Sequence, residues 1–198
     1  MDKIICLGKN YSEHAKELGE VAPEKPVIFI KPPSVFRQAI QNNQKLALNL
    51  PQARGEVHHE CEIVVRVGKD MEIEALTLGL DMTLRDVQSL LKKGGQPWTI
   101  SKVFKDSAIA GPWVKPSEFK NWENEEFQIE INGALRQRGS AKEMILRAAE
   151  SIGYIQQFFP VCPGDLIFTG TPKGVGPVRV GDFGKLRWGS IEYEVGWS

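Results

Sequence analysis

The chain has 198 residues, 41 % of them apolar, with 25 Lys and Arg against 25 Asp and Glu, an ordinary globular composition without a net field that would hold nucleic acid. No apolar run reaches the roughly 20 residues of a membrane-spanning helix, and the N-terminus lacks the charged-then-apolar form of a signal peptide. Cys6, Cys61 and Cys162 are scattered without Cys-x-x-Cys spacing, so one domain over residues 1–198 is expected in the reducing cytoplasm, without disulfides or structural zinc.

In chain order, Lys3–Leu7 reads as a first strand. A short helix follows, with Asn10 as its cap, Glu13 three residues later as in a capping box, and Gly19 as its stop. His14 and Glu17 then share a face. The bland account is a solvated ion pair; the functional one is a general base held by a carboxylate that favours the charged imidazole. Pro26–Ser34 is a β-rich run broken by prolines, and Phe36–Arg54 reads as loop and short strand.

His58–Gly68 has the alternation of a strand that ends at a glycine. Glu60 and Glu62 point one way while Cys61, Ile63, Val65 and Val67 point the other. Two like charges side by side repel unless a cation or proton lies between them. Asp81 ends the apolar run Leu76–Asp81, where an acid is costly without a partner. Three hard oxygen donors suit Mg²⁺, Mn²⁺ or Ca²⁺ rather than zinc, so Glu60, Glu62 and Asp81 form a candidate metal site.

Thr83 and Asp86 have capping-box spacing, and Val87, Leu90 and Leu91 recur at helical spacing up to Gly94-Gly95. Arg85 and Gln88 share a face, either toward solvent or toward one ligand. Trp98–Phe104 reads as loop or strand and carries Lys102, which by itself is an ordinary solvated lysine. Alternation around Asn132-Gly133 predicts a hairpin, as does the tail from Lys185 to Val195 around Gly189-Ser190. Ser140 and Glu143 suggest a second capping box, opening a helix with Met144, Ala148, Ile152, Ile155 and Phe159 on its apolar face. Gly170–Gly176 is not a Walker loop, since no Gly-Lys-Ser/Thr ends it, but its glycines let backbone N–H groups approach a small carboxylate. Strands outnumber helices without alternating with them, which predicts an α+β fold.

His58–Glu62, Leu80–Gln88 and Phe168–Gly176, in that order, resemble the signature stretches of the fumarylacetoacetate hydrolase family. Asn10-Tyr11-x-x-His14-x-x-Glu17 is similar to its small acylpyruvate-hydrolysing members. The resemblance implies a mixed β-sandwich roll, a homodimer, and Mg²⁺ or Mn²⁺ on Glu60, Glu62 and Asp81. It implies a water-activating pair of His14 and Glu17, with Lys102 beside the metal. Arg85, Gln88, Lys31, Gly170 and Thr171 would face substrate, with Ser34 near them. The segment between Gly68 and Asp81 is shorter than is usual in the family, which puts the helix found there in doubt.

The implied reaction is metal-dependent C–C hydrolysis of a 3-acylpyruvate, such as fumarylpyruvate or acetylpyruvate, to pyruvate and a carboxylic acid. Oxaloacetate decarboxylation and isomerisation of a hydroxymuconate-type acid use the same enolate. A non-catalytic metal- or ligand-binding module is the reading from another class. The expected partner is a small keto acid, with no nucleic acid and no membrane.

Overall fold

A computed structural model describes residues 1–17, 24–51 and 53–198; the stop expected at Gly19 lies outside them. Strand β1 (Ile4–Gly8) leads into helix α1 (Ser12–Glu17), followed by β2 (Val27–Lys31), β3 (Phe36–Gln38) and β4 (Lys45–Leu48). The chain continues through β5 (Val57–His59), β6 (Cys61–Val67), β7 (Ile73–Asp81) and β8 (Thr83–Leu84), then helices α2 (Arg85–Lys93) and α3 (Thr99–Lys102). After β9 (Ala108–Ala110) come β10 (Phe127–Ile131), β11 (Ala134–Gly139), helix α4 (Ala148–Ile155), β12 (Leu166–Phe168), β13 (Gly176–Pro177), β14 (Phe183–Trp188) and β15 (Ile191–Trp197).

A seven-stranded mixed sheet, ordered β2-β1-β12-β6-β7-β9-β3, packs on a five-stranded one, β11-β10-β14-β15-β4, and β13-β5-β8 form a third. This is the strand-rich α+β architecture that the patterns imply. Between the two large sheets lies a core of Ile63, Val65, Leu78 and Leu80 from the first, with Phe127, Leu186, Trp188 and Val195 from the second. Burying each such side chain stabilises by about 1.5–3 kcal/mol. The outer face of the first sheet carries a smaller cluster of Ile4, Cys6, Val64 and Phe168. Cys61 faces the main core and Val64 the outer cluster, so Glu60 and Glu62 share Val64's side of the sheet.

Several local expectations change. The strand breaks at Glu60, which separates β5 from β6. Asn10 does not cap α1: its amide donates to Leu146 O and Thr169 O, and its oxygen accepts from Leu146 N. Long-range ties outbid the local cap. Thr83 lies in β8, and α2 begins at Arg85 with no side-chain cap. Leu90 is 69 % exposed, so the buried stripe of α2 is narrower than its spacing suggests. Lys102 ends a short helix rather than sitting in a loop or strand. Ser140 precedes a 3-10 turn, Met144 is extended, and α4 begins only at Ala148. Both hairpins form, with Asn132 and Gly133 at φ 53° and 78°. No helix intervenes between Gly68 and Asp81; a tight turn joins β6 directly to β7.

Candidate metal centre and active site

Strand register brings the three acids together. Glu62 on β6 lies opposite Gly79 on β7, and Asp81 N–H donates to Glu60 O at 2.9 Å. Gly79 keeps this crossing close, because a Cβ there would stand 2.4 Å from Ile109 O and 2.6 Å from a Val64 methyl. One carboxylate oxygen from each of Glu60, Glu62 and Asp81 falls within 4.8 Å of the others, and none of the three residues exceeds 5 % exposure.

Cations approach from two sides. Lys102 Nζ donates to Glu60 Oε2 at 2.8 Å, Asp81 Oδ2 at 2.6 Å and Thr83 Oγ1 at 2.7 Å. Thr83 is therefore a lysine acceptor, which explains why it caps nothing. Lys31 Nζ lies 2.5 Å from Asp81 Oδ1 and donates to Met82 O and Ser107 O. Lys31 is fully buried and engaged by Asp81, Met82 O and Ser107 O, and the structure does not bring it into the cavity lined by His14 and Lys102. Arg85 spans Glu60 Oε1 and Gln88 Oε1, the latter at 2.7 Å, so both members of that face turn inward.

Glu62 differs from its neighbours. Its Oε2 accepts from Gly170 N–H at 2.8 Å, and no cation pairs with it among the described residues. Burial, then the charges of Asp81 and Glu60, push its carboxyl well above the usual range. Burial would also raise Glu60, but Lys102 and Arg85 outweigh it and hold that group well below. For Lys102, burial works downward while Asp81 and Glu60 raise the ammonium, so it stays charged. Lys31, Lys102 and Arg85 all pair with Glu60 or Asp81, which leaves Glu62 without a cation of its own among the described residues. Hard oxygens and that unpaired carboxylate fit Mg²⁺ or Mn²⁺ on Glu60, Glu62 and Asp81.

His14, 5 % exposed, places Nδ1 3.1 Å from Glu17 Oε2 on α1. Burial lowers its pKa, outweighing the nearby Glu60 and Glu17. Glu17 favours the charged form as expected, but burial outweighs it and keeps the imidazole neutral. His14, Glu60, Arg85, Gln88 and Lys102 line one narrow cavity together with Gly8, Lys9, Lys92 and Trp98. The last four carried no sequence signal beyond their types.

The loop after β12 uses its glycines on the protein's own acids. Gly170 N–H serves Glu62, and Gly174 N–H donates to both Glu17 oxygens at 2.9 and 3.2 Å. Thr171 Oγ1 donates to Cys61 O at 2.8 Å, so this hydroxyl braces β6. Ser34 is exposed within a 3-10 turn. Among the described residues no helix is long and apolar enough to cross a membrane.

Residues 3–191 match the family described as Fumarylacetoacetate (FAA) hydrolase C-terminal. The chain is 37 % identical over 193 residues to the oxaloacetate tautomerase YcgM of Escherichia coli, covering 92 % of this chain and 86 % of that protein. It is 35 % identical to the mitochondrial oxaloacetate decarboxylase of Dictyostelium discoideum over 90 % of this chain and 85 % of that one. The crystal structure of a Pseudomonas aeruginosa fumarylpyruvate hydrolase with Mn²⁺ and pyruvate superposes with a TM-score of 0.87 at 32 % identity, covering 99 % of this chain and 90 % of that one. With signature stretches, fold and similarity agreeing along almost its whole length, the chain belongs to the fumarylacetoacetate hydrolase family, whose named members here are enzymes of small keto acids.

Proposed function

We propose that this protein is a divalent-metal-dependent enzyme that enolises a 2-oxo acid with a second carbonyl or carboxylate at C4, oxaloacetate being the first candidate. The observation that carries this reading is a buried cluster of three carboxylates, with Glu62 left unpaired by the cations that hold Glu60 and Asp81, beside a neutral, buried histidine. The oxaloacetate tautomerase and decarboxylase among its relatives support it.

Mg²⁺ or Mn²⁺ held by Glu60, Glu62 and Asp81 would supply Lewis-acid polarisation of the 2-oxo group. Lys102 adds a fixed ammonium where negative charge develops on that oxygen. Arg85 and Gln88 present donors for the substrate carboxylate. Neutral His14 takes a proton from C3, and the C2 oxygen gains one as the enol forms. In decarboxylation the C3–C4 bond breaks instead, CO₂ leaves, and C3 is protonated to give pyruvate.

Hydrolysis of a 3-acylpyruvate is the second reading, favoured by the His14–Glu17 pair at 3.1 Å. There His14 takes the proton of a water that attacks the distal carbonyl. The products are pyruvate and a carboxylic acid. Incubating the Mn²⁺-loaded protein separately with oxaloacetate and with a panel of acylpyruvates, followed by NMR, decides between them. Accelerated keto–enol exchange or CO₂ release supports the first reading, and acylpyruvate cleavage alone supports the second. No acceleration of any of them sinks both and leaves a binding module. Homodimeric assembly and cytoplasmic residence belong to the same proposal, and a monomer in sedimentation at micromolar concentration would count against the dimer.

A further inference from the structure

Gln137 lies on β11, a strand of the second sheet, and is 1 % exposed. Its Oε1 accepts from Cys61 N–H and from His59 Nδ1, both at 2.9 Å. Its Nε2 donates to Thr171 Oγ1 at 2.7 Å and to Pro172 O at 2.9 Å. A carboxamide offers two acceptor sites and two N–H groups, so its capacity is fully used. Cys61 N–H can only donate, which fixes the oxygen toward β6 and the nitrogen toward the loop.

The four partners occupy particular places. His59 and Cys61 flank Glu60, while Thr171 and Pro172 stand between Gly170, which holds Glu62, and Gly174, which holds Glu17. The loop also lies directly on β11: a Cβ on Gly174, at φ +97°, would meet Arg136 O at 2.1 Å, and one on Gly139 would meet Pro172 at 2.9 Å. An apolar side chain would fill this volume without the cost of burying an amide. A fully satisfied amide adds geometry instead.

We propose that Gln137 is a positioning residue for the reaction, setting the 170–174 turn against both the carboxylate cluster and the His14–Glu17 pair. This rests on the functional reading above. The metal-facing part acts through Glu60 and Glu62, and the proton-transfer part acts through Glu17.

Gln137→Met keeps the length and removes all four bonds. Gln137→Glu keeps the acceptors toward Cys61 and His59 and removes both donors toward the loop. Gln128→Met is the control, since Gln128 sits on the same hairpin and its side chain, among the described residues, bonds Glu130 alone. Calorimetry with Mn²⁺ and steady-state kinetics at saturating Mn²⁺ are the readouts, with circular dichroism checking the fold. Loss of a direct partner of a metal ligand typically costs about 10–100-fold in affinity or activity, and Gln137, which bonds the ligands' neighbours, is set against the lower end of that range. Gln137→Met is expected to lose about 10-fold in Mn²⁺ affinity and in kcat, Gln137→Glu mainly in kcat with KM little changed, and Gln128→Met in neither.

A folded Gln137→Met with wild-type affinity and kcat overturns the proposal. If Gln137→Met does not fold, an unchanged kcat in Gln137→Glu overturns it equally. Wild-type protein that binds Mn²⁺ yet turns over no 2-oxo acid sinks the functional reading, and the affinity of Gln137→Met still decides for Gln137. Wild-type protein that binds no Mn²⁺ removes both.

Discussion

Glu60, Glu62 and Asp81 are carried by or beside adjoining strands of one sheet and are at most 5 % exposed, whereas His14 and Glu17 ride on a six-residue helix where Glu17 keeps 34 % of its side chain in solvent. Strand register and the cations of Lys31, Lys102 and Arg85 fix the first group. Among the described residues, the second is tied by the His14–Glu17 contact and by Gly174 N–H from the 170–174 turn. The difference teaches that binding charge and moving a proton are built differently: the acids are locked by strand register and ion pairs, while the base rides on a short helix tied to the 170–174 turn.

Breaking the rigid half gives the largest expected effect. Asp81→Asn leaves Lys31 and Lys102 sharing one neutral amide. Unpairing a buried charge costs about 3–5 kcal/mol, and the hard donor set drops from three carboxylates to two. Calorimetry should show Mn²⁺ binding lost, with melting temperature lowered and turnover abolished. Unchanged Mn²⁺ affinity would remove Asp81 from the centre.

His14→Ala tests the other half. Removing a general base typically slows a reaction by about 10²–10⁴-fold, and none of the acids loses a hydrogen bond, so Mn²⁺ affinity should stay as in the wild type. A parallel fall in affinity would show that the halves are not separable. The wild-type pH profile sharpens the point. Burial lowers His14 below its usual 6.5, so the base remains unprotonated as pH falls through that value. The acid limb of kcat/KM should therefore lie below the ordinary imidazole range, and a limb at or above 6.5 would show Glu17 dominating burial.

Much of the rigid half is legible in the sequence because period-2 alternation places Glu60 and Glu62 on one side, and an acid ending an apolar run flags Asp81. Hairpins around Asn132-Gly133 and Gly189-Ser190 are legible for a related reason, since turn chemistry is local. Partners across the sheet are not. Lys31 stands 50 positions before Asp81 and looks like any lysine before a proline. Gln137 gives no signal at all. Asn10, Thr83 and Ser140 mislead in one direction: each has capping spacing, and for Asn10 and Thr83 a distant donor or acceptor takes the side chain instead. The sign of the His14 shift was hidden because spacing shows Glu17 but not burial.

His59, beside the rigid half, should report on it through stability rather than rate. It is almost fully buried and its pKa falls from 6.5 to about 4, with burial the largest cause. The unfolded chain therefore binds a proton that the folded one refuses between those values. Stability is complete above about 6.5 and is lost as pH falls toward 4, by about 3 kcal/mol. Denaturant titrations at neutral pH and near pH 4 should show that loss in the wild type and a smaller one in His59→Gln. Equal slopes would place the acid sensitivity elsewhere.

The smallest effect is expected from Glu17→Gln. Its amide oxygen can still accept from Gly174 N–H and from His14 Nδ1, so orientation survives while the charge is removed. Without the carboxylate the imidazolium is less stabilised, His14 becomes a weaker base, and the acid limb moves further down in pH. Because Glu17 is a third exposed, water screens the pair, and such pairs are worth about 0.2–1 kcal/mol, or roughly a 1.4- to fivefold fall in kcat. Glu17→Leu, which removes orientation as well, should cost more. If Glu17→Gln is as damaging as His14→Ala, the carboxylate itself accepts the proton, and the contrast between a strand-borne charge site and a helix-borne base has to be redrawn with Glu17 as the reacting group.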